Sequence, residues 1–115
     1  RRYEDAFRAT PGVSFPVVPA GAVSARHLFT IWVEPAWRDG ILAAIQAKGV
    51  GVAVNYRAVH LMKYYAERFG FRRGMFPVAE RIGDSTITIP LWPAMSDAQV
   101  DEVIAAVRGA VSGSR

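Results

Sequence analysis

At 115 residues, 51% hydrophobic and 21% charged, the chain has the size and apolar content of one folded domain rather than a disordered segment. It contains no cysteine, which excludes a disulfide framework and any thiolate metal site and fits a reducing cytoplasm. The net charge of +4 points to an anionic partner, and no apolar run reaches the ~18–20 residues that cross a bilayer.

The chain opens badly for a free-standing domain. Tyr3 and Phe7 are spaced i, i+4 among charged residues, so residues 1–9 read as an amphipathic helix, yet there is no N-cap and no initiator Met. The expectation is the end of an interdomain helix belonging to something longer. Residues 13–18 form a short apolar stretch ended by Pro19, and a loop follows. Residues 27–33, His27-Leu28-Phe29-Thr30-Ile31-Trp32-Val33, are dense in β-branched and aromatic side chains on both faces and predict a central strand. His27, at the start of that strand, is expected to be structural.

Residues 37–48 carry Ile41, Leu42 and Ile45 on one helical face and stop at Gly49, a residue suited to a left-handed helix end. Residues 50–56 predict a second strand, which a helical crossover could place parallel to the first. A polar, irregular segment runs from Asn55 to His60. Leu61, Tyr64, Tyr65 and Phe69 then predict a short helix ending at Gly70, a basic loop spans residues 71–74, and Pro77 starts another short helix to Ile82. Thr86-Ile87-Thr88-Ile89 alternates as a half-buried strand does. Ser96-Asp97-Ala98-Gln99 matches a capping box, followed by an apolar stripe at Val100, Val103, Ile104, Val107 and Val111. The sum is an α/β two-layer sandwich: a small sheet of about three strands with helices packed on it.

Chemistry is concentrated in one place. There is no GxGxxG after a strand, no P-loop, no HExxH and no GxSxG. The loop Asn55-Tyr56-Arg57-Ala58-Val59-His60, with Lys63, Tyr64 and Tyr65 after it, gathers an amide, phenols, a guanidinium, an imidazole and an ammonium at a strand-to-helix junction. Guanidinium suits bidentate contact with phosphate, while phenol and amide suit sugar hydroxyls. His60 and Tyr64 are the first candidates for binding, with Tyr56 and Arg57 in the same loop. Tyr65 reads instead as a core aromatic whose hydroxyl reaches the surface. The denser basic region of Arg57, Lys63, Arg68, Arg72, Arg73 and Arg81, opposed by Glu67 and Glu80, is either a solvated surface or a site for a phosphorylated small molecule. It forms no continuous stripe, and no nucleic-acid reader motif accompanies it.

These residues carry a resemblance. His27-Leu28-Phe29 before a strand, Arg38-Asp39-Gly40-Ile41-Leu42, Lys48-Gly49-Val50-Gly51-Val52, Tyr56 through His60, Phe76-Pro77-Val78-Ala79-Glu80-Arg81, Ile89-Pro90-Leu91-Trp92-Pro93 and the closing Asp101-Glu102-Val103-Ile104 together resemble the DegT/DnrJ/EryC1/StrS aminotransferases. The succession Tyr56-Arg57-Ala58-Val59-His60 with Lys63-Tyr64-Tyr65 looks most like the UDP-4-amino-4-deoxy-L-arabinose–oxoglutarate aminotransferase branch. The resemblance implies the C-terminal small domain of a fold type I enzyme, active as a homodimer. Glutamate would donate its amino group, leaving 2-oxoglutarate, to a keto carbon of a nucleotide-linked sugar. It also implies pyridoxal phosphate (PLP) held by an N-terminal large domain that this sequence lacks, with the Schiff-base lysine there, so neither Lys48 nor Lys63 is assigned that role and no catalytic residue is named. By match to the family pattern, His60 and Tyr64 lie nearest the sugar nucleotide, with Tyr56 and Arg57 lining the loop. Asn55 stands where relatives commonly carry His. Two other readings remain open at this point: a family relative that dehydrates sugars, and a non-catalytic binding or interaction module.

Overall fold

The computed structural model describes residues 1–114. The helix at the N-terminus, α1 (Arg2–Arg8), forms as its i, i+4 aromatics predict, and both Tyr3 and Phe7 are buried. Polar clamps seat it on the last helix, α5 (Asp97–Gly113). Arg2 pairs with Asp97 and Asp101, while Arg108 Nη2 and Nε donate to Ala6 O at 2.9 Å and Thr10 Oγ1 at 3.1 Å. Tyr3 adds an aromatic contact to Phe29 at 5.2 Å between centroids.

The sheet is smaller than expected and its topology differs. Strand β1 (Phe29–Trp32) pairs antiparallel with β2 (Thr86–Ile89), with Phe29 opposite Ile89 and Ile31 opposite Ile87. Residues 50–56 do not make a second full strand. They contribute one antiparallel bridge, Ala53 to Thr88, and Ser14 makes another to Trp32. The crossover through α2 (Arg38–Gln46) therefore delivers residues 50–56 to the far side of β2, not beside β1. His27 also departs from expectation: it lies exposed, two residues before β1 begins.

The pleat explains what the sheet buries. Phe29, Ile31, Ile87 and Ile89 share one face and join Ile41 and Ile45 of α2 and Val103, Val107 and Val111 of α5 in a single cluster. Each such side chain removed from water contributes about 1.5–3 kcal/mol. The threonine face of β2, expected to be solvated, is buried as well. Its hydroxyls find backbone acceptors: Thr86 Oγ1 donates to Ile82 O at 2.7 Å and Thr88 Oγ1 to Asn55 O at 3.4 Å.

The remaining elements follow sequence signals closely. The capping box forms, with Ser96 Oγ accepting from Gln99 N at 3.2 Å and Gln99 Oε1 accepting from Ser96 N at 2.9 Å. Gly70 caps α3 at φ +68°, and Gly49 ends the turn that follows α2 at φ +80°, the left-handed region that costs glycine least. After a single 3₁₀ turn (Val59–Leu61) come α3 (Lys63–Phe69) and α4 (Pro77–Ser85), which begins at Pro77 and runs directly into β2.

Candidate functional site

Of the four residues expected to bind, three are displayed and one is not. Tyr56 and Tyr64 are 68% and 65% exposed, and Arg57 is exposed on the same stretch. Arg57 makes no ion pair among the described residues. It lines a cleft of about 260 Å³ with Ala58, Leu61, Met62, Arg73 and Asp84. Arg73, grouped with Arg57 in the denser basic region of the sequence, lines the same cleft. Its guanidinium donates to Asp84 at 2.8 Å.

His60 corrects the expectation. It is only 7% exposed, and its Nε2 lies 2.9 Å from Oε1 of Glu80, itself 6% exposed. The imidazole is capped edge-on by Phe76 at 4.8 Å between centroids. The physical reason is the carboxylate. Glu80 pulls the ring inward from a position 20 residues away in sequence, a separation that no local pattern reveals. Burial, the largest influence, raises the Glu80 pKa, but donors from His60, Gly74 and Phe76 together outweigh it and hold the carboxyl below its ordinary 4.5. An ionised carboxylate only accepts, so the shared proton sits on His60 Nε2.

Tyr65 is likewise not a core residue. At 38% exposure it sits in an aromatic run on the surface, touching Tyr64 at 5.4 Å and Phe69 at 6.3 Å, with Phe69 stacked on Phe71 at 5.6 Å. Asn55 is partly buried, and its carbonyl rather than its side chain is engaged, accepting from Thr88. Exposed phenols suit hydroxyl groups, and the Arg57 guanidinium that lines the 260 Å³ cleft suits an oxyanion.

The residues present do not compose a PLP site. Lys63 is fully solvated at the start of α3, its ammonium 4.0 Å from Glu67, and the Lys48 ammonium reaches over Gly109 on α5. Neither lysine lines any of the clefts around Arg57, Trp32 or Trp92. Among the described residues, no cluster of His, Asp and Glu could hold a metal ion, and no helix is long and apolar enough to cross a membrane.

The fold is that of known aminotransferases. The PMP form of the putative sugar aminotransferase Spr1654 from Streptococcus pneumoniae superposes with a TM-score of 0.88 at 26% identity, over 99% of this chain and 29% of that one. DesV from S. venezuelae, solved in complex with a ketimine intermediate, gives a TM-score of 0.85 at 29% identity over 94% of this chain and 29% of its own. The sequence profile of the DegT/DnrJ/EryC1/StrS aminotransferase family matches residues 1–108, and the chain belongs to that family. Among curated relatives, the spore coat polysaccharide biosynthesis protein SpsC of Bacillus subtilis (strain 168) is 35% identical over 118 aligned residues, covering 98% of this chain. The chain spans 30% of the length of that relative.

Proposed function

We propose that this chain is the C-terminal small domain of a PLP-dependent sugar aminotransferase. The enzyme moves an amino group from glutamate to the keto carbon of a nucleotide-linked sugar, a UDP-linked 4-keto sugar in the first instance. In this reading PLP and its lysine belong to a large domain outside this sequence, the full-length protein works as a homodimer, and the domain described here supplies substrate contacts. Arg57 takes a phosphate, and Tyr56 and Tyr64 take hydroxyls of the sugar or its nucleotide. The finer placement in the UDP-4-amino-4-deoxy-L-arabinose branch rests on the loop sequence from Tyr56 to Tyr65.

The observation that carries this reading is the exposed Arg57, unpaired among the described residues, lining a cleft on the stretch that also displays Tyr56. A guanidinium left without a carboxylate partner is free for bidentate contact with an oxyanion. Family membership supports the reaction class, and Spr1654 and DesV are relatives whose structures contain the aminated cofactor or a ketimine.

The test separates the two halves of the transamination in the full-length protein. Arg57→Ala is expected to raise the KM for the sugar nucleotide about tenfold, the effect of one lost charge-assisted contact, and to leave the glutamate half-reaction unchanged. A wild-type protein that accepts glutamate but aminates no UDP-linked keto sugar refutes the substrate assignment. Equal damage to both half-reactions by Arg57→Ala refutes the role given to Arg57.

A further inference from the structure

We propose that Glu80 and His60 are positioning residues that set the loop displaying Tyr56 and Arg57, with α4 as the template against which the loop is held. This deepens the function proposed above and rests on it.

The first argument is the construction of the buried pair. A carboxylate withdrawn from water is costly unless its lone pairs are met. Here both oxygens accept: Gly74 N–H donates to both at 2.8 and 3.0 Å, Phe76 N–H donates to Oε1 at 3.3 Å, and His60 Nε2 donates to Oε1 at 2.9 Å. Arg73 stands 3.6 Å from Oε2. One carboxylate thereby ties together α4, the 71–76 turn and the 3₁₀ turn that ends the loop. Hydrocarbon would fill the same space at less cost, whereas the polar hub admits one arrangement of the three segments.

The second argument is independent of charge. Gly83 lies one turn after Glu80 on the same face of α4. A Cβ there would stand 2.5 Å from Ala58 N and 3.1 Å from Arg57 C, so the helix meets the loop backbone directly. The loop is also fastened at its other end, where Ala53 exchanges N–H···O bonds of 3.2 and 2.7 Å with Thr88, and Asn55 O accepts from Thr88 Oγ1. Between these anchors, Tyr56 and Arg57 project into solvent. The arrangement is a short span fixed at both ends with its binding groups in the middle. Misplacing such groups by ~1 Å costs on the order of 10²-fold in a pre-organised site.

The experiment uses the full-length holoprotein and two readouts: amide hydrogen exchange over residues 56–61 and 74–76, and the KM for the UDP-linked keto sugar against kcat and the glutamate half-reaction. Glu80→Ala and His60→Ala are expected to speed exchange about tenfold in both segments and to raise the sugar KM by a similar factor, with the glutamate half-reaction unchanged. Glu80→Gln, which keeps an acceptor for the backbone donors, should fall between and guards against an alanine variant that does not fold. His60→Gln places an amide N–H near the position of Nε2 and should restore both exchange and KM. If His60→Gln restores exchange but leaves KM as high as in His60→Ala, the imidazole itself touches the sugar and the positioning role is wrong. Unchanged exchange in Glu80→Ala and Glu80→Gln overturns it too. A wild-type protein that does not use the sugar refutes the proposed function, and the exchange readout then decides the present inference alone.

Discussion

Two helix glycines should respond in opposite directions to the same substitution. Gly83 in α4 is buried, and an added methyl would meet three backbone atoms: Ala58 N at 2.5 Å, Arg57 C at 3.1 Å and Arg57 Cα at 3.3 Å. Ordinary contacts between heavy atoms lie near ~3.5–4.0 Å, so the loop must retreat by roughly 1 Å. Overpacking of this kind costs about 1–3 kcal/mol, against a gain of about 1 kcal/mol from placing Ala rather than Gly in a helix. Gly83→Ala should therefore destabilise the protein by about 1 kcal/mol, up to about 2 if the loop cannot yield. Gly109 in α5 is the control. There the nearest atom is the Lys48 Nζ at 2.5 Å, the free end of a flexible and exposed side chain that can swing away. Gly109→Ala should stabilise by about 0.5–1 kcal/mol. Urea unfolding followed by tryptophan fluorescence reads both, and the sugar KM should rise only for Gly83→Ala. Stabilisation of equal size at the two positions, with KM unchanged, would refute the claim that α4 sets the loop.

Two titrating groups extend the argument. Burial pushes the Tyr3 phenol from 10.0 up to about 12, so its contribution to stability is complete below the unfolded value and is lost as pH rises toward 12. Tyr3→Phe should remove that alkaline dependence and, by leaving the Pro90 carbonyl without its 2.8 Å donor, cost about 1 kcal/mol at neutral pH, as measured by unfolding at stepped pH. Glu80 runs the other way. Its depressed pKa gives stability that is present above 4.5 and drains away as pH falls through the folded value, with His60 and Arg73 the side chains facing it. Glu80→Gln should flatten the acid limb of the stability curve; an acid limb identical to wild type would contradict the hub described for this carboxylate.

Much of the fold was legible because its signals are local. The i, i+4 pair of Tyr3 and Phe7, the Ser96–Gln99 box, and Gly49 and Gly70 at helix ends each act within one or two turns, and each is found where it was expected. Tyr56 and Arg57 lie exposed on the polar loop between elements, where binding groups are usually displayed, and Tyr64 on the outer side of α3. The sheet was less legible. β-Branched and aromatic density identified β1 and alternation identified β2, but no local rule sets which of three extended segments takes the middle of the ribbon. The half-polar alternation of residues 86–89 gave no hint that Ile82 O and Asn55 O would satisfy its hydroxyls from either side.

His60 shows where local reasoning stops. In sequence it belongs to a loop of binding groups; in the fold it belongs to Glu80, whose own family-like segment starts a different helix. From sequence alone follow the helices, strands β1 and β2, the capping box of α5, the loop that carries a phenol and a guanidinium, and the resemblance to sugar aminotransferases. Only the tertiary structure decides that β2 lies between β1 and residue 53, and that imidazole and carboxylate turn inward together. The physical reason is that a helix or a cap is satisfied by neighbours in the chain. A buried charge is satisfied only by whichever distant donors the packing brings within about 3 Å.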